Sequence, residues 1–351
     1  MNCIENVHLL SRWIDESSVI TTVCHVRPDG DAAGSSIAMI QYLKACRGKD
    51  AVAVFPDALP DTLKFLLEGS DALFADSDPE AAAARIKSSD LLICLDFNTL
   101  CRTEALEETI RQSGVRKVLI DHHEDPRTEE FGLCFSETAV SSTCELLYGL
   151  LLSMPDISGS AALLPGLAAA ALMTGMTTDT NNFANSVHPG TLKMASELLE
   201  AGVDRESIID HLYRSERPNR LEAQGDMLSN RMHLLPGGVA CTVLDASFLE
   251  RHSMREGETE GFVNLPLTVK DIRLSVLARE DTDFFRVSVR SKKGISARAL
   301  ARDFFHGGGH EQAAGGRIYI PADVASADQV QSYIERISAR FMQEDAIAVK
   351  Q

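Results

Sequence analysis

The feature that most constrains the fold is a repeated pattern in which a short apolar run ends in acidic or imidazole side chains. The clearest example is Val118-Leu119-Ile120, which runs directly into Asp121-His122-His123. Such runs are typical of strands buried in a parallel sheet, and α/β proteins keep their ligand sites outside the carboxyl ends of these strands. The pattern therefore predicts a functional site at the edge of a parallel sheet.

Three further apolar stretches, beginning near residues 19, 91 and 161, end in the same way. The side chains that follow them are His25, Asp29, Asp31, Asp96 and Asp179. With residues 121–123, the four places offer five carboxylates and three imidazoles. Burying this much negative charge costs on the order of several kcal/mol per ion unless a cation is bound. The pattern therefore predicts a divalent-metal site, with Asp179 expected on a glycine-containing loop.

The ligand types restrict which metal can be expected. Carboxylates with a minority of imidazoles suit Mn²⁺, Mg²⁺ or iron, whereas a structural zinc site would use cysteines. About seven ligands with one shared acid fit two metals roughly 3.5–4 Å apart, an arrangement that activates water against a phosphoryl group. We therefore expect phosphoester hydrolysis with two divalent ions, Mn²⁺ first and Mg²⁺ or Co²⁺ as alternatives.

The order of these motifs resembles that of the DHH phosphoesterase superfamily. The matching elements are His25-x-x-Pro28-Asp29-x-Asp31, Asp96, Asp121-His122-His123 and Asp179. Near the C-terminus, a stretch that begins Gly307-Gly308-Gly309-His310 resembles the signature of the DHH-associated second domain. The resemblance spans about residues 20–320, and the length and layout are most similar to the NrnA-type oligoribonucleases.

The resemblance implies an α/β fold in two parts. We expect an N-terminal parallel-sheet DHH domain, a smaller mixed α/β C-terminal domain and an active site in the cleft between them. The expected ranges are 1–205 for the catalytic domain, 206–222 for a linker and 223–345 for the substrate-binding domain. The stretch from residue 161 to 173 is apolar on nearly every face, so we expect it to lie deep in the first domain.

The resemblance also assigns roles to individual residues. One metal would be held by His25, Asp29 and Asp96. The second metal would share Asp96 as a bridging ligand and would also be held by Asp31, His122 and Asp179. Two residues would act on the chemistry without holding metal, with His123 contacting the substrate phosphate and Asp121 orienting a neighbouring imidazole.

The second domain contains a basic stretch that stands out in an acidic chain. Between residues 286 and 306 there are six basic side chains and one acid, and Gly307-Gly308-Gly309-His310 follows directly. Glycine runs expose backbone N–H groups to anions, and arginine binds phosphate through paired hydrogen bonds. The predicted substrate-binding residues are Arg290, Gly307, Gly308, Gly309 and His310, with Arg102 and Arg317 as weaker candidates.

Composition limits the partners. The 51 acidic and 34 basic residues give a net charge of −17, which would repel a long polyanion and favours a short substrate over a long duplex. The eight cysteines contain no CxxC pair, and the start of the sequence lacks a signal-peptide pattern. The most apolar stretch is too short to span a bilayer. We therefore expect a cytoplasmic enzyme that does not contact membranes. The resemblance adds a homodimer as a candidate oligomeric state.

These observations favour a metal-dependent phosphodiesterase that cleaves short RNA and dinucleotides to 5′-mononucleotides. Dephosphorylation of 3′-phosphoadenosine 5′-phosphate (PAP) is expected as an additional activity. The alternatives are an enzyme acting mainly on PAP or on cyclic or linear dinucleotides, then an inorganic pyrophosphatase, then a silent nucleotide sensor. Asn181-Asn182 follows Asp179 where many relatives carry a glycine and an arginine, so the substrate contacts near this motif stay open.

Overall fold

The computed structural model describes the backbone of residues 3–348 and the side chains of residues 5–343. The chain divides into two compact units between Ser215 and Glu216. This division lies within the range expected to be a linker, residues 206–222. Much of that range is helical, because one helix covers Arg205–Tyr213 and another begins at Pro218.

The first unit contains a six-stranded sheet in which every pair of neighbouring strands is parallel. The strand order is β3-β2-β1-β4-β5-β6. The chain therefore reverses direction across the sheet between β1 and β4, and the crevice outside such a reversal is where open α/β sheets bind ligands. The strands are β1 Val19–Val23, β2 Asp50–Phe55, β3 Ala72–Phe74, β4 Leu91–Leu95, β5 Arg116–Asp121 and β6 Leu133–Ser136.

Eight α-helices and four short 3₁₀ helices accompany this sheet. All five residues of β4 are buried, so helices must cover both faces of the sheet at its centre. The α-helices are α1 Cys3–Glu16, α2 Gly30–Arg47, α3 Pro79–Ser88, α4 Glu107–Gln112, α5 Thr143–Leu152, α6 Gly166–Asp179, α7 Pro189–Glu200 and α8 Arg205–Tyr213. The 3₁₀ helices are Asp61–Leu67, Leu100–Leu106, Thr128–Glu130 and Ala161–Leu163.

Two expectations about the apolar stretch from residue 161 were wrong. Leu163 and Leu167 keep 54% and 49% of their surface exposed, so this stretch is not buried on every face. Asp179 is the last residue of α6 and does not lie on a loop. The loop was expected because of Gly175, since glycine is unfavourable inside helices. Here Gly175 lies inside α6, where a close contact requires a residue without a side chain.

The second unit combines a six-stranded sheet with helices, as expected of a mixed α/β domain. The strand order is β11-β12-β10-β9-β8-β7, and only β8 and β9 pair in parallel among the described strands of this unit. The strands are β7 Met232–Leu235, β8 Val239–Leu244, β9 Leu274–Glu280, β10 Phe284–Ser291, β11 Gly308–Gly309 and β12 Ala313–Tyr319. Apolar and polar residues alternate along β10, and Phe285, Val287 and Val289 are buried.

Four α-helices belong to the second unit, together with a π-helix at Met227–Arg231 and 3₁₀ helices at Phe262–Thr268 and Ala327–Gln329. The α-helices are α9 Pro218–Asp226, α10 Ala246–Arg251, α11 Ala297–Phe304 and α12 Val330–Ala348. Within residues 3–348, no helix combines the length and the apolar character needed to cross a bilayer.

Helices α2 and α6 pack with their backbones unusually close together. Every residue of α2 from Gly30 to Leu43 is buried. A β-carbon on Gly34 would lie 2.5 Å from the carbonyl oxygen of Ala171, and one on Gly175 would lie 2.3 Å from the Cys144 sulfur. Glycine is therefore required at both positions for the helices to approach.

We expect Gly34→Ala to destabilise the protein although alanine favours helix. The methyl group would meet backbone atoms that cannot move aside, and overpacking of this kind costs about 1–3 kcal/mol. The apparent Tm should fall by about 3–10 °C in a thermal melt. Gly149→Ala is the matched control, because Gly149 is exposed in α5 with no atom near its missing β-carbon. A Tm for Gly34→Ala equal to or above the control's would contradict the packing argument.

Candidate metal centre

The predicted ligands lie together at the carboxyl edge of the first unit's sheet. His25 and Asp29 follow β1, and Asp96 follows β4. Asp121 ends β5 and delivers the two histidines behind it. Because β1, β4 and β5 are adjacent and parallel, their carboxyl ends meet at one place.

The first group consists of His25, Asp29 and Asp96, whose ligand atoms all lie within 4.8 Å of one another. The His25 Nε2 atom is 3.4 Å from Asp96 Oδ2 and 3.9 Å from Asp29 Oδ1. The His25 Nδ1 atom lies 2.8 Å from the carbonyl oxygen of Val26, which can only accept, so Nδ1 carries the proton. Nε2 is therefore left with its lone pair facing the two acids, which is the form that binds a metal.

The second group consists of Asp31, His122 and Asp179. The His122 Nε2 atom lies 3.3 Å from Asp179 Oδ2, 3.9 Å from Asp31 Oδ2 and 3.7 Å from Asp96 Oδ1. The Asp96 carboxylate thus turns Oδ2 to His25 and Oδ1 to His122. One carboxylate facing both groups has the arrangement needed to share a ligand between two ions.

The backbone of Asp96 has an uncommon conformation. Its φ angle is 65°, in the left-handed region that residues other than glycine seldom enter, although aspartate does so more often than most. Its N–H donates to the Ile120 carbonyl at 3.1 Å, which ties the turn to the neighbouring strand. Conformations of this kind persist where the surroundings over-determine them, and they concentrate at functional sites.

His123 is engaged at both ring nitrogens. Nδ1 donates to Asp121 Oδ1 at 2.7 Å, and Nε2 accepts from Arg102 Nη1 at 3.1 Å. Both partners require the same tautomer, since arginine only donates. Although His123 also lies with Asp96 and His122 in a third group of possible ligands, its paired nitrogens argue against metal binding. The Asp121 carboxylate therefore has a hydrogen bond to a neighbouring imidazole, that of His123, which its predicted orienting role would require.

The buried acids carry more negative charge than nearby cations offset. Burial, with Asp96 and Asp29 nearby, raises the pKa of Asp31, and burial with Asp31 nearby raises the pKa of Asp179. Burial also raises the pKa of Asp96, but the hydrogen bond and charge of His25 outweigh it and lower that pKa overall. Burial lowers the pKa of His122, so this imidazole tends to be neutral.

These properties fit divalent cations. Burial lowers the pKa of His25, but the hydrogen bond and charge of Asp96 and the charge of Asp29 outweigh it and raise that pKa overall, so a metal at Nε2 would replace a proton. The oxygen-rich donor set with the imidazoles of His25 and His122 suits Mn²⁺ or Mg²⁺, and a bound cation would offset the repulsion that raises the two aspartate pKa values. Asp121 Oδ2 is also buried without a hydrogen-bond partner among the described residues. The candidate ligands therefore match the predicted chemistry in type and in grouping.

Thr143 is a functional residue that the sequence reasoning missed. Its N–H and that of Cys144 donate to the Asp31 carboxylate at 2.6 and 2.8 Å, so the positive end of α5 faces that acid. Its hydroxyl donates to Asp96 Oδ1 at 2.9 Å. One residue thus fixes a carboxylate from each group. The run of hydroxyl residues at 141–143 is typical of a helix start, and its local sequence gives no sign that acidic side chains lie nearby.

The predicted residues of the second unit form their own cluster. Arg290 on β10 donates to the Ala314 carbonyl at 3.4 Å, and Gly309 pairs with Ala314 across β11 and β12. Arg317 stacks over Phe284 with its guanidinium 5.0 Å from the ring centre.

Two arginines of the basic stretch are paired with acids. Arg286 bonds to Glu256 and Asp281, which lie outside the stretch, and Arg302 bonds to Asp303 within it. Asp303 is already counted in the expected local charge of +5, so the pairing of Arg286 is what lowers that charge.

Comparisons with known proteins support the family. Residues 19–176 match the DHH family N-terminal domain, and residues 238–343 match the DHHA1 domain. The bifunctional oligoribonuclease and PAP phosphatase NrnA of Thermus thermophilus is 32% identical over 300 residues, which are 83% of this chain and 81% of that protein. This chain belongs to the DHH family. It is a phosphoester hydrolase, since its family relatives carry the names of such enzymes.

Two further relatives of this DHH hydrolase differ in name. The cyclic-di-AMP phosphodiesterase PdeA of Listeria monocytogenes is 27% identical over 233 residues, which are 62% of this chain and 34% of that protein. The crystal structure of an exopolyphosphatase-related protein from Bacteroides fragilis is 30% identical, with a TM-score of 0.89 over 97% of this chain and 98% of that one. The family is thus shown, while the relatives' names differ in substrate.

We expect Asp179→Asn to stabilise the metal-free protein and to weaken its response to metal. The pKa of Asp179 is higher in the folded than in the unfolded chain, so its ionisation at neutral pH disfavours the folded state. In EDTA the variant's Tm should rise by about 2–4 °C. Saturating Mn²⁺ should raise the wild-type Tm and raise the variant's much less.

The control is Asp283→Asn, which removes the same charge from an exposed position in the second unit. It should shift neither Tm. If Asp179→Asn melts below the wild type in EDTA, the charge argument is wrong. If Mn²⁺ raises the Tm of both proteins equally, Asp179 is not a metal ligand.

Proposed function

We propose that this DHH hydrolase cleaves short RNA oligonucleotides and dinucleotides to 5′-mononucleotides, and that the same site removes the 3′-phosphate of PAP. The observation that carries the proposal is the similarity to a bifunctional oligoribonuclease and PAP phosphatase, which extends over both domains and most of each chain. The carboxylate-rich site supports it, because both reactions break a phosphoester bond.

The metal ligands in this proposal are the two groups that share Asp96. His25, Asp29 and Asp96 would hold one ion, and the second would be held by Asp96, Asp31, His122 and Asp179. When bound, two divalent ions such as Mn²⁺ polarise the phosphate and lower the pKa of a water molecule between them. Asp31 is held in place by the N-terminal N–H groups of α5, so its carboxylate needs no rearrangement on loading.

Arg102 would donate to the phosphate as charge develops on it, and His123 would contact the same phosphate as a donor once its Nε2 atom is protonated. The pair is already oriented, because Asp121 fixes the imidazole and the imidazole accepts from Arg102. Asp121 is fully buried and can stabilise a proton on His123 Nδ1 throughout the reaction. Preorganised donors of this kind stabilise a transition state without a cost of reorientation.

The second unit would bind the part of the substrate away from the scissile phosphate. Arg290 supports this role because its half-buried guanidinium bonds to the Val289 and Ala314 carbonyl oxygens, and burial lowers its pKa although the charge of Glu260 opposes that shift. Arginine donates paired hydrogen bonds to oxygen acceptors, which suits this side chain to a substrate contact. His310 and Arg317 belong to the same proposed surface.

The glycines of the second unit differ in what requires them. A β-carbon on Gly307 would lie 1.9 Å from the Gly315 carbonyl oxygen, and Gly309 has a φ of 139°. Gly308 has neither constraint, since no atom lies within 4 Å of its missing β-carbon. The close approach of a ligand would explain a glycine at this exposed position, which the described structure does not otherwise require.

The proposal is tested by initial rates with Mn²⁺ on four substrates. We expect a 5′-phosphorylated RNA dinucleotide to be cleaved fastest, PAP to be hydrolysed more slowly and a 24-mer RNA and pyrophosphate to react least. Asp96→Ala should abolish all turnover, because it removes the shared ligand. Faster hydrolysis of PAP or of pyrophosphate than of the dinucleotide would favour the corresponding alternative, and the absence of turnover on every substrate would favour a silent sensor.

We also expect Gly308→Ala to raise the KM for the dinucleotide about tenfold while leaving the fold intact. A methyl group there would obstruct only a bound ligand, and a lost contact of about 1.4 kcal/mol corresponds to a factor of ten. Gly225→Ala, at an exposed position of α9 in the same unit, is the matched control. If both variants keep the wild-type KM and Tm, Gly308 has no part in substrate binding.

A further inference from the structure

The turn that follows Asp179 has a backbone conformation that side chains rarely tolerate. Asn181, Asn182 and Phe183 have φ angles of 46°, 57° and 67°, so three consecutive residues with side chains lie in the left-handed region. Asparagine enters this region more readily than most residues, but a phenylalanine there is an outlier. Backbone strain of this kind concentrates at functional sites, and this turn directly follows a proposed metal ligand, Asp179.

Hydrogen bonds hold this turn in one shape. The Asn182 N–H donates to the Thr177 carbonyl at 2.8 Å, which folds the turn back onto the end of α6. The Phe183 N–H donates to the Thr180 hydroxyl at 3.0 Å, and the Ala184 N–H donates to the Thr180 carbonyl at 2.9 Å. The side chains of the turn are therefore presented from a fixed backbone beside Asp179.

The turn holds the side chain of Arg205, the first residue of α8. Arg205 Nη2 donates to the Asn182 side-chain oxygen, and the guanidinium lies over the Phe183 ring, 5.5 Å from its centre. The two contacts set both the position and the plane of the guanidinium. The left-handed backbone of the turn therefore positions Arg205, since both side chains that contact it come from left-handed residues.

Arg205 forms no ion pair within the part of the chain that the structure describes. Other arginines of the first unit do pair with carboxylates, as Arg47, Arg85 and Arg116 show. An anchored guanidinium without a carboxylate is unusual in a chain of net charge −17. A guanidinium offers five N–H donors, and the bond to Asn182 uses one of them.

We propose that Arg205 binds a phosphate of the substrate other than the one that is hydrolysed. The proposal rests on the proposed function, and it narrows the substrate class to molecules with a second phosphate, such as a 5′-phosphorylated dinucleotide or a nucleoside bisphosphate. The carboxylates and metals handle the scissile phosphate. Arg205, fixed by a turn that begins at a proposed metal ligand, supplies a paired-donor contact for the second one.

The test compares two dinucleotides that differ only in the terminal 5′-phosphate, pApA and ApA, with Mn²⁺-loaded wild type, Arg205→Gln and Arg205→Lys. For Arg205→Gln we expect the KM for pApA to rise about tenfold or more, as loss of a charged hydrogen bond implies. Its kcat should stay within about twofold, and its KM for ApA should not change. Arg205→Lys should recover part of the affinity, because it keeps the charge and loses the paired geometry.

Arg214→Gln is the matched control, because Arg214 follows the same helix but pairs with Asp210 at an exposed position. Its KM for pApA should equal that of the wild type. Binding of Mn²⁺, followed by titration calorimetry, should be the same in all four proteins. Equal losses on pApA and ApA, or weaker Mn²⁺ binding in Arg205→Gln, would overturn the proposal by showing a structural role.

The failure of the proposed function would look different. If the wild type cleaves neither dinucleotide, the proposed substrate is wrong, and the four proteins are compared on bis(p-nitrophenyl) phosphate with adenosine 3′,5′-bisphosphate as the competing ligand. Arg205→Gln should then weaken inhibition by the bisphosphate about tenfold. An unchanged inhibition constant would overturn the role of Arg205 independently of the substrate.

Discussion

The structure of the first unit depends on the placement of one buried carboxylate, that of Asp96. It lies on a turn with an uncommon backbone conformation after the central strand β4, and each of its oxygens faces a different histidine. The hydroxyl of Thr143 secures the oxygen on the His122 side. Because the neighbouring acids repel one another, the surrounding helices and loops are arranged around a charge that favours a cation.

The part of the site that comes from the sheet could be predicted from the sequence. Apolar runs ending in acids and imidazoles identify the carboxyl ends of parallel strands, and residues at those ends must converge when the strands are neighbours. His25, Asp96 and His122 follow this rule. A second domain of mixed α/β structure was also predicted, and the alternating sequence of β10 indicates which of its side chains are buried.

The parts that could not be predicted depend on contacts between distant segments. Thr143 reaches Asp96 only because the start of α5 packs against the sheet edge, and nothing in its own sequence indicates an acid nearby. Asp179 was placed on a loop because Gly175 in α6 serves a helix contact that a local rule cannot recognise. At Arg286, in the basic stretch of the second unit, the local sequence overestimates the charge, because the acids that pair with this residue come from elsewhere in the chain.

The glycine contact between α2 and α6 has a consequence for metal selectivity. Asp31 lies in the first turn of α2 and Asp179 ends α6, and a β-carbon on Gly30 would overlap the Thr178 side chain between them. The backbones that carry these two acids are therefore held at a spacing set by helix packing. If the two acids hold one ion as proposed, widening the site for a larger ion would require these core helices to separate, so discrimination by ionic radius would depend on the hydrophobic core.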